Sequence, residues 1–157
     1  MTFLLSRPRL LISLSYLIFS IMSNPAFGKG KKWGAGVQVI DVTGFTVKKN
    51  ISGKKAVEAA LAWDNTGDQF QITASGAWLT IWPDFLILGD DKMDGVLGGG
   101  VKLSSRNSRI ELRVPTGLSW MILDERLEIF GYLIPGMTIY PKTDLSVSMV
   151  LGCRYFF

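Results

Sequence analysis

From about residue 33 to the C-terminus, apolar and polar residues alternate with period two, the mark of strands with two unlike faces. The last segment is the clearest. Leu145, Val147, Met149, Leu151, Cys153, Tyr155 and Phe157 stand on one face, and Ser146, Ser148, Val150, Gly152, Arg154 and Phe156 on the other. Residues 109–122 repeat the pattern. Ile110, Leu112, Val114, Thr116, Leu118, Trp120 and Ile122 oppose Arg109, Glu111, Arg113, Pro115, Gly117, Ser119 and Met121. Residues 127–140 alternate in the same way. Less regular alternation covers about 33–41, 44–51, 55–63, 68–82 and 94–103. Turn-forming clusters separate the segments: Ser52-Gly53, residues 64–68, Pro83-Asp84, residues 104–108, Asp124-Glu125 and residues 141–144. The pattern predicts eight antiparallel strands in an all-β, up-and-down barrel. The apolar run 83–89 is too greasy for an ordinary turn and is expected to lengthen the fourth or fifth strand.

The sides of these strands separate two kinds of barrel. A barrel in water turns its apolar face inward; a barrel in a membrane turns it outward. In the sixth and eighth strands, 13 of 14 residues on the apolar face are apolar, while Arg109, Glu111, Arg113 and Arg154 lie opposite. Exposing a dozen large side chains to water forfeits about 1.5–3 kcal/mol each. That total exceeds a whole domain's stability of roughly 5–15 kcal/mol. The expectation is therefore a transmembrane β-barrel, which satisfies its backbone groups by closure. Aromatic residues are expected at its two interfaces: Trp63 and Phe70 at one rim, and Trp33, Trp78, Trp82 and Trp120 at the other.

The chain before residue 29 reads differently. Arg7 and Arg9 precede a 13-residue apolar stretch, Leu10 to Met22, which ends at Ser23-Asn24-Pro25. Ala26-Phe27-Gly28 has the form of a cleavage site. Residues 1–28 are read as a secretory signal peptide, and residues 29–157 as one barrel domain. The apolar stretch is short of the roughly 20 residues a spanning helix needs.

Composition removes several chemistries. The chain has no histidine, which excludes a Ser-His-Asp triad, a His-ligated zinc and a haem histidine. One cysteine, Cys153, excludes a disulfide scaffold. Residues 29–157 carry 15 Lys+Arg and 13 Asp+Glu, too balanced to suggest nucleic acid as a partner. Gly98-Gly99-Gly100 is followed by no phosphate-loop lysine, so these glycines are read as space for neighbouring side chains. No cofactor and no metal site are expected.

An eight-stranded barrel is just filled by its own side chains. Counting across the turns places Arg113 opposite Gly136, Lys102 opposite Glu111, and Gly100 beside Arg113. It also sets Phe130 opposite Arg154, with Glu128 diagonal to it. A charge network of Lys102, Glu111, Arg113, Glu128 and Arg154 is expected in the lumen, with Lys48 and Glu58 as candidates to extend it. Its structural reading is a neutral plug. Its catalytic reading would need Glu111 and Glu128 as paired carboxylates, yet the count puts them towards opposite ends.

The ending Gly152, Tyr155 and Phe157, with aromatics at alternate outward positions, resembles the C-terminal assembly signal of bacterial outer-membrane barrels. Arg113-Val114-Pro115-Thr116-Gly117-Leu118, Leu127-Glu128-Ile129-Phe130-Gly131, Pro135, Pro141 and Gly152-Cys153-Arg154-Tyr155-Phe156-Phe157 resemble a family of small outer-membrane β-barrels of unknown function, best known from spirochaetes. Tyr132 departs from that family's pattern, which has an acidic residue there. The resemblance implies residence in the outer membrane, with lipid and the barrel-assembly machinery as partners, and it carries no enzymatic activity. The expected function is a non-enzymatic barrel with a filled lumen, serving the envelope structurally or binding an unidentified partner through its loops. The alternatives are a lipid-modifying enzyme and a narrow gated pore.

Overall fold

The computed structural model describes residues 32–40, 43–64, 70–105 and 108–157. The signal-peptide reading and most of the loop at 64–68 lie outside these residues. The described chain is all-β. Its strands are β1 (Trp33–Ile40), β2 (Thr43–Ser52), β3 (Lys55–Asp64), β4 (Gln71–Leu88), β5 (Asp91–Ser104), β6 (Arg109–Arg113), β7 (Thr116–Ile122), β8 (Leu127–Tyr140) and β9 (Asp144–Phe156). Each pairs antiparallel with its neighbours, and β1 pairs with β9, which closes the single sheet into a ring. One rim carries the turns at 53–54, 89–90 and 123–126 together with the end of β9; the opposite rim carries the end of β5, the start of β6 and the turn at 141–143.

Nine strands form where eight were expected, and Pro115 is the physical reason. β6 and β7 occupy one place in the ring, both flanked by β5 and β8. Gly98 N–H donates to the Pro115 carbonyl at 2.8 Å, but Pro115 has no N–H to return the bond. Val114 N–H likewise donates to the Pro135 carbonyl at 2.9 Å, and Pro135 cannot reciprocate. Two half-made pairs at adjacent positions interrupt the ladder.

Following paired residues around the ring gives the stagger. From Arg154 the registers lead to Gly36, Thr46, Ala60, Ser75, Lys102, Glu111, Thr138 and back to β9 at Asp144, ten residues from the start. Ten residues of stagger over eight strand places incline the strands by roughly 40° at about 3.3 Å per residue and about 4.8 Å per strand. A tilt of that size closes a ring whose interior is filled by side chains.

β4 runs on through Pro83 to Leu88 rather than turning at Pro83-Asp84. β3 gives β4 its last ladder partner at Thr80, so beyond it Pro83 lies on an open edge where its missing N–H costs no bond. A bulge absorbs residues 83–85 opposite Asp94, with Asp84 at φ 55°.

The faces divide sharply. Leu145, Val147 and Leu151 are 79%, 69% and 44% exposed, whereas Arg154 and Glu128 are fully buried. Inside the ring, Ala56, Leu79, Ile81, Val96, Phe130, Tyr132, Ile134 and Val150 form the apolar part of the filling.

Candidate functional site

The inward positions of β2, β3, β8 and β9 bring four charges together. Glu128 faces Arg154 directly across the β8–β9 pair, not diagonally, and Phe130 faces Gly152. The expected register differs by two residues because β8 outruns β9. Its last pair with β9 is Thr138 with Asp144, and it continues to Tyr140, which pairs with Ile110 on β6 instead.

Arg154 is the centre of the cluster. Its Nη1 donates to Glu128 Oε2 at 3.0 Å and to the Tyr132 hydroxyl at 3.4 Å. Its Nη2 lies 2.6 Å from Glu58 Oε2. Nε and Nη2 both donate to Thr46 Oγ1, at 3.1 and 3.0 Å. The guanidinium stacks 3.6 Å from the centroid of Phe130, a favourable cation–π geometry. The second oxygen of Glu128 accepts from Lys48 Nζ at 2.5 Å. Lys48, Glu128, Arg154 and Glu58 thus alternate in sign and sum to zero. Burying four unpaired charges would be prohibitive; alternation with hydrogen bonds removes most of that cost.

Backbone placement explains how Arg154 reaches β2. Gly36 on β1 stands between Arg154 and Thr46 in the register. A Cβ at Gly36 would lie 1.8 Å from the Cys153 carbonyl oxygen and 2.6 Å from the Arg154 Cα. Glycine is the residue that lets the guanidinium cross β1.

Lys102, Glu111 and Arg113 occupy the neighbouring wall. Lys102 pairs with Glu111, Gly100 with Arg113, and Arg113 with Gly136, as counted from the turns. Glu111 and Arg113 are buried. Glu111 Oε1 takes the space of a side chain at 136, lying 2.6 Å from where a Gly136 Cβ would be. Towards the rim, Arg109 donates through Nε and Nη2 to Thr138 Oγ1 at 2.8 and 2.6 Å. The two walls face a cavity of about 20 Å³ lined by Gln38, Glu58, Ser75, Arg113 and Tyr132, among others. That is room for about one water molecule.

Phe130 was expected beside Arg154 and does stack on it, though from the diagonal position; Thr46 and Tyr132 are partners that the alternation pattern did not single out. The register of β8 against β9 and the Gly36 gap are what connect them.

Both oxygens of Glu128 are engaged by cations. No group of three or more cysteine or carboxylate side chains converges among the described residues.

On the outer face, Trp33, Trp63, Phe70, Trp78 and Trp82 are exposed, and Trp120 is half-buried. Trp63 packs at 5.4 Å from Phe45, and Lys49 Nζ sits 4.7 Å over Trp33. At the C-terminus, Gly152 makes room for Phe130, since a Cβ there would lie 2.4 Å from its ring. Tyr155 is half-buried and Phe157 exposed. Cys153 is a free thiol on the outer face.

Comparison with known proteins gives no match to a family model, to a curated protein sequence or to a solved structure.

Proposed function

We propose that this chain is a small outer-membrane β-barrel protein, exported by its N-terminal signal peptide, with no enzymatic activity and a lumen closed by its own ion pairs. Its role is structural in the envelope, or one of presenting its short loops to a partner. One observation carries the reading: the outside of the ring is apolar while the inside holds Lys48, Glu58, Glu128 and Arg154. Water around Leu145 and Val147 would be costly, and hydrocarbon would not. A closed ring also leaves no backbone edge unpaired in lipid. The exposed tryptophans and the C-terminal Phe157 agree with interface belts and an assembly signal.

The test is gel mobility of the protein in its membrane fraction, with and without boiling. A folded barrel migrates differently before heating. A band that does not move, from a protein extracted by carbonate, would overturn the reading.

A further inference from the structure

β4 outruns β3. Their last ladder pair is Lys55 with Thr80, and the Ile81 N–H reaches the Lys54 carbonyl at 2.9 Å. From Trp82 to Leu88, β4 pairs only with β5, and its other side is open among the described residues. Pro83 and the bulge over 83–85 blunt the start of this edge, as is usual for exposed edges. No charge or proline guards its end. Phe85, Leu86, Ile87 and Leu88 are 68%, 37%, 59% and 56% exposed.

The backbone of this edge is set to receive a strand. The Asp84 N–H donates to Asp94 Oδ1 at 3.0 Å, towards β5, and Leu88 closes the turn at 89–90 against Asp91. By alternation, the N–H and C=O of Phe85 and of Ile87 point to the open side. The edge also lies past the lipid-facing wall. The outward run of β4 from Ile72 to Trp82 covers ten residues. At the tilt given above and about 3.3 Å per residue, that run rises about 25 Å, the height of the apolar band of a membrane barrel. Residues 85–88 stand beyond it, at the rim that holds the end of β9.

Charge and symmetry select the occupant. Asp90 and Asp91 follow the edge directly, are exposed, and enter no ion pair among the described residues. The adjacent Lys92 is taken by Asp84 at 3.3 Å. A second copy does not fit. Two barrels side by side in one membrane, related by a two-fold along its normal, present β4 edges that cross at roughly 80°, twice the tilt, and cannot share a ladder. Residues 29–31 do not fit either. They reach at most about 11 Å, and β1 stands three strand places from β4.

We propose that residues 85–88 are a docking edge, which takes an extended segment of another envelope protein as an antiparallel strand, with basic residues at the segment's N-terminal end against Asp90 and Asp91. The proposal rests on the membrane reading above. Main-chain hydrogen bonds supply the affinity of an added strand, and its side chains supply the specificity. The antiparallel sense is the more stable one, and it brings the segment's N-terminus to the acidic turn.

The experiment is fluorescence anisotropy with the full barrel in phosphatidylcholine nanodiscs, where both rims are open to solvent. Heat-modifiable mobility first verifies insertion. The probe is an acetylated peptide of two lysines followed by alternating valine and threonine, with fluorescein at its C-terminal end. It should bind saturably to the barrel and not to empty discs. The same peptide methylated at alternate amide nitrogens should not bind. Ile87→Pro removes an N–H on the open side and should lower affinity about tenfold. Asp90→Lys with Asp91→Lys, on the exposed turn, should lower affinity several-fold and raise that of a probe carrying glutamates in place of the lysines. This double variant supplies the test if Ile87→Pro does not insert. No saturable binding by the inserted wild type overturns the edge. So does equal binding of the methylated peptide, equal binding to empty discs, or affinity that neither variant changes. Failure of the wild-type protein to insert overturns the barrel reading itself.

Discussion

Glu128 and Arg154 face each other across β8 and β9 with no solvent exposure, and the carboxylate that binds Arg154 at 3.0 Å also binds Lys48 at 2.5 Å. One carboxylate therefore neutralises two buried cations, while Glu58 balances the second from the other side.

Removing Glu128 should leave a buried lysine without a counter-charge. Glu128→Leu is expected to destabilise the barrel by about 3–5 kcal/mol, read from the denaturant midpoint of the gel-mobility shift. The double variant Lys48→Met with Glu128→Leu keeps the Arg154–Glu58 pair and deletes the orphaned cation. It should be more stable than Glu128→Leu alone. A double variant at least as damaged as the two single changes added together would contradict the pairing.

The strand break makes a different prediction. Pro115→Ala restores an N–H aimed at the Gly98 carbonyl. The added bond is worth about 0.5–1.5 kcal/mol. Losing proline's restriction of the unfolded chain removes about 0.4–1 kcal/mol, so the net change in stability is small. Amide exchange is the better readout. The amide gained at position 115 should exchange as slowly as its strand neighbours; rapid exchange would show that the break has another cause.

Much of this was readable in the chain. The two faces follow from period-two alternation. Lys102, Glu111, Arg113 and Gly136 fell in register because short turns leave little freedom in counting. Glu128 and Arg154 were displaced by two because alternation does not fix where a strand changes partner, and Tyr140 pairs with β6. Pro83 reads as a stop, yet β4 has lost β3 at that height, which only the tilt of the ring reveals. The role of Gly36 was hidden because it depends on a contact across three strands.

Cys153 tests the outer face chemically. It is exposed on the ring's outside. Under the proposed membrane placement, a charged reagent in water is kept from that face. In intact vesicles it should resist a charged maleimide and react fully after denaturation. Rapid labelling of the inserted protein would place it in water.

The lumen should not conduct. A gap of about 20 Å³ between Glu58 and Arg113 holds a water but no solute. Planar-bilayer recordings of the purified protein should show no steady current steps. Regular single-channel steps would mean that the plug opens.

The most direct measurement is a spin-label scan of residues 145–152 in the reconstituted protein, carrying Cys153→Ser. Labels at 145, 147, 149 and 151 should be reached by oxygen dissolved in lipid and shielded from a water-soluble nickel chelate. Labels at 146, 148, 150 and 152 should be poorly reached by either. Strong nickel access at 147, 149 and 151 would mean that water, not lipid, covers the apolar face.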